Sequence, residues 1–463
     1  MMPRIAKVTA LTAVLLLAWS AFFAPTFRFP FYWDDFHLIR SYTGPEISST
    51  FHDVIDPDKI ETPGLRPCSI FLYNFQGTAF GENVVAHRVF VVALMGIFMI
   101  AAGMLLLELG LSFVQLAIVL ALFVSSRVFA SLALWICLSH LVMAYIWIVL
   151  TAYSFVLWAK RGRWFFFLFT LVFATLATFT REETYTLPVV LPLLWLISSF
   201  DPRQFRRVAA AALSILTIVC FHYWLWHFLV SNALSPDFKL SAIKGLLVAM
   251  AASWLPGGFT WRGLTDIFIA LTWIAFLIVV VLLFIPLAKP RARWQLFGVC
   301  CLGALLSLPA LGAARSFGIA LPTLAFMSAV SVAIGEIYSQ VKSEPQFRNW
   351  QRYATLGIII VGLATGIVGG INRSRYVAES MYENAATRMV RDGKFLFEMF
   401  NQPATIPDSR RQAGLDRLKA FGIRSADDVR SLEKALKANP KQYRQPSATS
   451  NGLLLPKYDY LTF

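Results

Sequence analysis

The sequence predicts an all-α polytopic membrane protein. Apolar runs long enough to cross a bilayer recur along the chain. Of its 463 residues 57% are hydrophobic and 14% charged, and mean hydropathy is +0.63; a soluble domain is about a quarter charged. The basic residues fall largely in short connections between the runs, so the net charge of +15 points to cytoplasmic loops and anionic lipid headgroups, not to nucleic acid. Cys68, Cys137, Cys220, Cys300 and Cys301 show no CxxC or metal-type spacing, and four lie in apolar runs. No disulfide framework is expected.

About eleven spanning segments are expected, at roughly 7–25, 86–108, 112–134, 140–159, 164–180, 184–199, 208–230, 265–287, 295–313, 317–340 and 354–370. The first has Arg4 and Lys7 ahead of its apolar core and small residues at Ala18 and Ala21, as a signal peptide would. An uncleaved helix is preferred, because a loop rich in polar side chains follows it. With the N-terminus cytoplasmic, the inside loops hold Lys160, Arg161 and Arg163; Arg203, Arg206 and Arg207; Lys289, Arg291 and Arg293; and Lys342, Arg348 and Arg352. The short outside loops hold few basic residues. This asymmetry puts loop 26–85 and the C-terminal tail outside.

Residues 231–264 read as an outer loop. Its stretch 241–254 would span only about 21 Å as a helix and has Ile243, Leu247, Met250 and Trp254 on one face. It is expected to lie in the interface or dip part-way into the membrane. The membrane domain is therefore 1–370 and the polar tail 371–463. Within the tail, 376–400 and 425–438 read as helical, the second opened by Ser425 with Asp428 three residues on, a weak capping box.

The first loop carries the residues most suited to chemistry. Asp34 and Asp35 are adjacent where the first segment should emerge. Neighbouring side chains diverge, so one could act as a general base while the other orients it. The alternative is that they cap a helix or stop the segment sinking into lipid. Arg66, beside the rigid Pro67, offers a donor fork suited to phosphate, or it snorkels to headgroups. His87 and Arg88 open the second span, as site residues or as interfacial anchors. Arg181, Glu182 and Glu183 lie at the outer end of the fifth segment, with Glu183 read as a turn residue. His140 starts the fourth segment at the same level, and Arg315 lies between two apolar runs. His222 and His227 are five apart, about 140° on a helix, which disfavours a shared metal. No Walker, GxGxxG, HExxH or GxSxG element is present.

Trp33, Asp34 and Asp35 after the first span, then Leu65, Arg66 and Pro67, then Phe80, Gly81, Glu82 and Asn83, and then His87 and Arg88 heading the second span form a set that resembles the GT-C superfamily of integral-membrane glycosyltransferases. The likeness is nearest to the protein O-mannosyltransferase-like and tetratricopeptide-bearing branch. Trp135 and Ile136, the run Arg181 to Thr184 before Leu187 and Pro188, and the run Arg315 to Pro322 are similar to later elements of that pattern. The likeness covers residues 1 to about 375. Ser126 to Ser131 departs from it, and the tail shows no tetratricopeptide repeats.

The resemblance implies an inverting transferase of a bacterial inner membrane with an extracytoplasmic site and a polyprenyl-phosphate-linked sugar donor. The acceptor would be a cell-envelope glycan, a glycolipid or a protein. It implies Asp34 as base with Asp35 in support, Arg66, Arg88 and Arg315 as donor-phosphate ligands, and His87, His140, Arg181 and Glu182 shaping the pocket. No cofactor is required and no metal ligand set is indicated. The competing readings are a transporter or flippase of lipid-linked sugars, a polysaccharide polymerase or ligase, and a non-catalytic envelope assembly protein. A flippase would want ionisable residues at mid-membrane depth, whereas those here collect at span ends.

Overall fold

A computed structural model describes residues 3–28, 35–49, 65–198, 201–229, 264–308, 319–344 and 347–400, with isolated positions between 424 and 434. Trp33, Asp34, the stretch 241–254, Arg315 and most of the tail lie outside these residues. The described residues are helical and include no strand.

The helices in order are α1 (Arg4–Phe22), α2 (Asp35–Leu38), α3 (Gly44–Ser49), α4 (Pro67–Phe80), α5 (Val84–Glu108), α6 (Phe113–Ser125), α7 (Arg127–Leu134), α8 (Ser139–Arg161), α9 (Trp164–Thr178), α10 (Leu187–Ser198), α11 (Phe205–Leu229), α12 (Leu264–Leu287), α13 (Pro290–Leu306), α14 (Ala320–Ser343) and α15 (Asn349–Phe400). Each of the expected apolar segments coincides with helix over most of its described length. Among the described residues, seven helices are long and apolar enough to cross a bilayer: α1, α5, α8 with the turn before it, α11 with the turn before it, α12, α14 and the first part of α15; the bent pair α6–α7 would make an eighth. This makes the chain a multi-pass membrane protein. The 15 residues of α9, the 12 of α10 and the 17 of α13 fall short of the ~20 needed to cross upright. α15 runs unbroken from 349 to 400, so the expected domain boundary at 370 falls inside one helix.

The chain divides into two compact units: residues 1–22, 92–132 and 140–374, and residues 23–91, 133–139 and 375–463. In the first, α14 is the hub, buried along most of its length and packed against α6, α12 and α13. Small residues let these helices close on one another. Phe326 of α14 seats on Gly303 of α13, and Ile197 of α10 seats on Gly298. Trp273 and Phe276 of α12 seat on Gly366 and Gly362 of α15. Val8 and Leu16 of α1 meet Gly103 and Gly96 of α5. Outward faces remain apolar, with Leu17, Trp164, Phe268 and Leu282 exposed, as contact with lipid requires.

Polar groups join α6 to α14. Ser112 and Gln115 form a capping box at the start of α6. The Gln115 amide also donates to the Ser331 carbonyl at 3.4 Å, while the Ser331 hydroxyl donates to the Gln115 carbonyl at 2.9 Å.

The segment 112–134, expected as one span, is instead two helices bent by 60° at Ser126. Ser126 adopts an extended backbone (φ −70, ψ 151). Its hydroxyl donates to the Phe123 carbonyl at 2.6 Å and accepts from the Phe129 N–H at 3.3 Å. One side chain thereby ends α6 and caps α7. The break frees the Ser125 carbonyl, which accepts from the Ser374 hydroxyl of α15 at 2.9 Å. Gly370 makes that approach feasible, since a Cβ there would sit 2.7 Å from the Ser125 oxygen.

Gly370→Leu is expected to cost about 2 kcal/mol through overpacking, read as a lower Tm of the full chain in detergent. Gly357→Leu on the same helix, where a Cβ meets nothing within 4 Å, is expected to leave Tm unchanged.

Candidate functional site

The second unit contains most of the chemistry-bearing residues expected of the first loop. Asp35 opens α2 with its carboxylate fully buried. Asp35 Oδ1 accepts from the Cys137 backbone N–H at 2.7 Å. Cys137 lies in the 3-10 turn Ile136–Leu138 that leads into α8. The carboxylate thus caps that turn across 102 residues of sequence, where an anion is favoured by the dipole of the following helix. Two side chains of α4 hold the same connection. The Tyr73 hydroxyl donates to the Cys137 carbonyl at 3.0 Å, and the Gln76 amide donates to the Ser139 hydroxyl at 2.7 Å.

Arg88 is 1% exposed. Its Nε donates to the Leu134 carbonyl at 3.3 Å and its Nη1 to the Phe27 carbonyl at 3.4 Å. These bonds join α5 to the end of α7 and to the 3-10 turn Ala24–Arg28. His87 is fully buried, with Nε2 2.9 Å from the Gly81 carbonyl and its ring edge-on to Phe80. A carbonyl only accepts, so Nε2 carries the proton. Gly81, at φ +53, ends α4 in the left-handed region that glycine adopts without strain. Arg66 is half-buried just ahead of α4, whose first residue is Pro67, a residue pre-set for a helix start.

The segment 39–49 folds back onto α4. The Tyr42 N–H donates to Asn74 Oδ1 at 2.8 Å, and Gly77 packs against the backbone of Arg40. The Arg40 guanidinium stacks over Tyr42 at 4.2 Å and pairs with Glu46 at 3.1 Å. The Thr43 N–H donates to Glu46 Oε2 at 2.8 Å. Burial pushes the Glu46 carboxyl up, but the Thr43 N–H and the Arg40 charge outweigh it, and the pKa lies below the ordinary value.

In the first unit, Arg181 precedes the 3-10 turn Glu182–Thr186. Its Nε and Nη2 donate to the Glu183 carboxylate at 2.7–3.3 Å, and its Nη1 lies 3.1 Å from His140 Nε2. Arginine can only donate, so His140 Nε2 accepts and the ring proton is on Nδ1. Burial works against the Arg181 charge. The carboxylates of Glu183 and Glu182 overcome it and hold the guanidinium protonated, above its usual value. The turn reading of Glu183 is incomplete, since this residue is the bidentate partner of Arg181. Glu182 is half-buried at the start of the same turn.

His222 and His227 have separate partners. His222 is buried and its Nδ1 lies 2.7 Å from the Tyr185 hydroxyl, while His227 Nδ1 lies 3.0 Å from the Tyr223 carbonyl. Among the described residues no three His, Cys, Asp or Glu side chains group as metal ligands.

Asp35, His87 and Arg88 therefore lie in one unit with the 134–139 connection, and His140 and Arg181 meet in the other. Asp34 and Arg315 lie outside the described residues. Tyr73, Gln76 and the Tyr185–His222 pair were not singled out from sequence. The available signal was Gln76, a polar residue inside an apolar helix. No protein-family model matches the chain, and no curated protein matches it.

Glu183→Gln removes the compensating charge from Arg181 and is expected to cost about 3 kcal/mol, measured as a fall in Tm, with Glu182→Gln costing less. The contribution of Glu46 is present in full above the ordinary carboxyl pKa and is lost as pH falls through the lowered value. Amide exchange in 43–49, corrected for intrinsic rates, should therefore accelerate as pH falls below about 5, and Glu46→Gln should flatten that profile.

Proposed function

We propose that this chain is an inverting glycosyltransferase of a bacterial inner membrane, moving a sugar from a polyprenyl-phosphate donor to an extracytoplasmic acceptor. The reading takes about eleven spans, some of them short or bent. It sets the N-terminus in the cytoplasm and the first loop and tail outside. The observation that carries it is the Asp35 carboxylate, buried and fixed on the Cys137 N–H, with a second carboxylate next to it in sequence. A loop that only joined two spans would have little need to bury an acid.

In this reading Asp34 removes the proton from the acceptor hydroxyl or amine as that atom attacks the anomeric carbon. The bond from that carbon to the phosphate oxygen breaks, the carbon inverts, and polyprenyl phosphate departs with the electron pair. The leaving group is already an anion of low basicity, so no acid is needed for its departure. Asp35 holds the loop that presents Asp34. Arg66 and Arg315 bind the donor phosphate, and Arg88, anchored to two carbonyls, adds positive charge while fixing backbone. His87 orders the backbone beside Arg88, and in the other unit Arg181, Glu182 and His140 order the turn at 182–186. The acceptor is an envelope glycan, a glycolipid or a protein.

The test is transfer of radiolabelled sugar from polyprenyl phosphate in membranes of a strain lacking the protein, complemented with variants. Asp34→Asn should be present at normal abundance and slower by about 10²–10⁴-fold. Asp35→Ala should lower Tm as well as activity, because it uncaps the turn at Cys137. Full transfer by Asp34→Asn would sink the reading.

A further inference from the structure

A cavity of about 180 Å³ opens in the first unit, where the ends of α5 and α10 and the start of α6 meet α13 and the middle of α14. It has room for a group of several heavy atoms, since a single water needs only about 10–15 Å³. Most of its wall is aliphatic, and four polar side chains also line it: Gln115, Gln295, Ser328 and Glu336.

Glu336 is the charged member. Both of its hydrogen bonds fall on Oε1, from the Lys289 backbone N–H at 3.2 Å and the Gln340 amide at 2.9 Å. Among the described residues its carboxylate has no ion pair, and Oε2 has no donor. A carboxylate accepts about four hydrogen bonds, so it retains capacity toward a cationic donor. Cations are also close in sequence: Ala292 lines the cavity, and its neighbours Arg291 and Arg293 are exposed.

We propose that this cavity binds a phospholipid headgroup bearing a primary ammonium, of the phosphatidylethanolamine class. The ammonium donates to Glu336 Oε2 and to the amide oxygens nearby, the phosphate turns toward Arg291 and Arg293, and the chain starts lie along the aliphatic wall. Charge selects this ligand over its neighbours. An anionic glycerol headgroup brings no cation for Glu336, and a quaternary choline cannot donate a hydrogen bond to it.

The test uses the delipidated full chain in detergent, titrated with phosphatidylethanolamine, phosphatidylcholine and phosphatidylglycerol of identical acyl chains. Retention by native mass spectrometry and Tm are the readouts. Phosphatidylethanolamine should bind about tenfold tighter than either competitor, the worth of one charge-assisted hydrogen bond. Glu336→Gln still accepts from Lys289 and Gln340 and should erase that preference. Ser328→Leu fills the cavity without touching the carboxylate and should weaken phosphatidylethanolamine retention, which keeps the test decisive if Glu336→Gln does not fold. Equal binding of the three lipids to the wild type overturns the proposal. So does an ethanolamine preference that survives Glu336→Gln, or undiminished phosphatidylethanolamine retention by a folded Ser328→Leu.

Discussion

A helix that breaks inside an apolar bundle leaves carbonyl and amide groups that water does not reach, and each one left unpaired costs several kcal/mol. This chain breaks twice in close succession, at Ser126 and again between Leu134 and Ser139. Both breaks are closed by side chains. At the first, Ser126 serves both helix ends and Ser374 takes the freed carbonyl of Ser125. At the second, Asp35 takes an N–H while Tyr73 and Arg88 serve two carbonyls. The irregular backbone on which the candidate site depends exists because these partners are supplied from helices far off in sequence.

Each unit buries a cation. Arg88 donates to two backbone carbonyls and stays nearly inaccessible. Arg181 has a bidentate carboxylate and an imidazole nitrogen, so every face of its guanidinium plane is directed. In each case the cation fixes backbone or rings that carry other functional groups. His87 and His140 face their partners in opposite roles, His87 Nε2–H donating to the Gly81 carbonyl and His140 Nε2 accepting from Arg181. A ring held this way fixes the orientation of the groups it bonds.

The apolar runs announced the long helices, because hydrophobicity is a local property, but α2, α3 and α4 lie in what read as a loop. The break at Ser126 was not readable, since serine is also tolerated inside apolar helices and only its extended backbone makes it a double cap. Asp35, His87, Arg88, Arg181 and His140 could be singled out as polar residues at the ends of apolar runs. Their partners could not, because Gln76 lies 63 residues from Ser139 and Asp35 lies 102 from Cys137. A single sequence carries no signal of such pairings. Glu183 was underrated for a related reason: a carboxylate two residues from an arginine resembles a turn until the side chains are seen to meet.

The bond from Ser374 to the Ser125 carbonyl spans 249 residues, and a ribosome makes the chain in order. At about 5–20 residues per second, the bent α6–α7 pair enters the membrane some tens of seconds before the helix that completes it. Throughout that interval the nascent protein holds a broken helix with one acceptor unserved. The insertion machinery must shelter that acceptor, or leave it wet, until the glycine face of α15 arrives. Among the described residues, the last apolar helix to be translated is thus the one that finishes a joint begun 249 residues earlier.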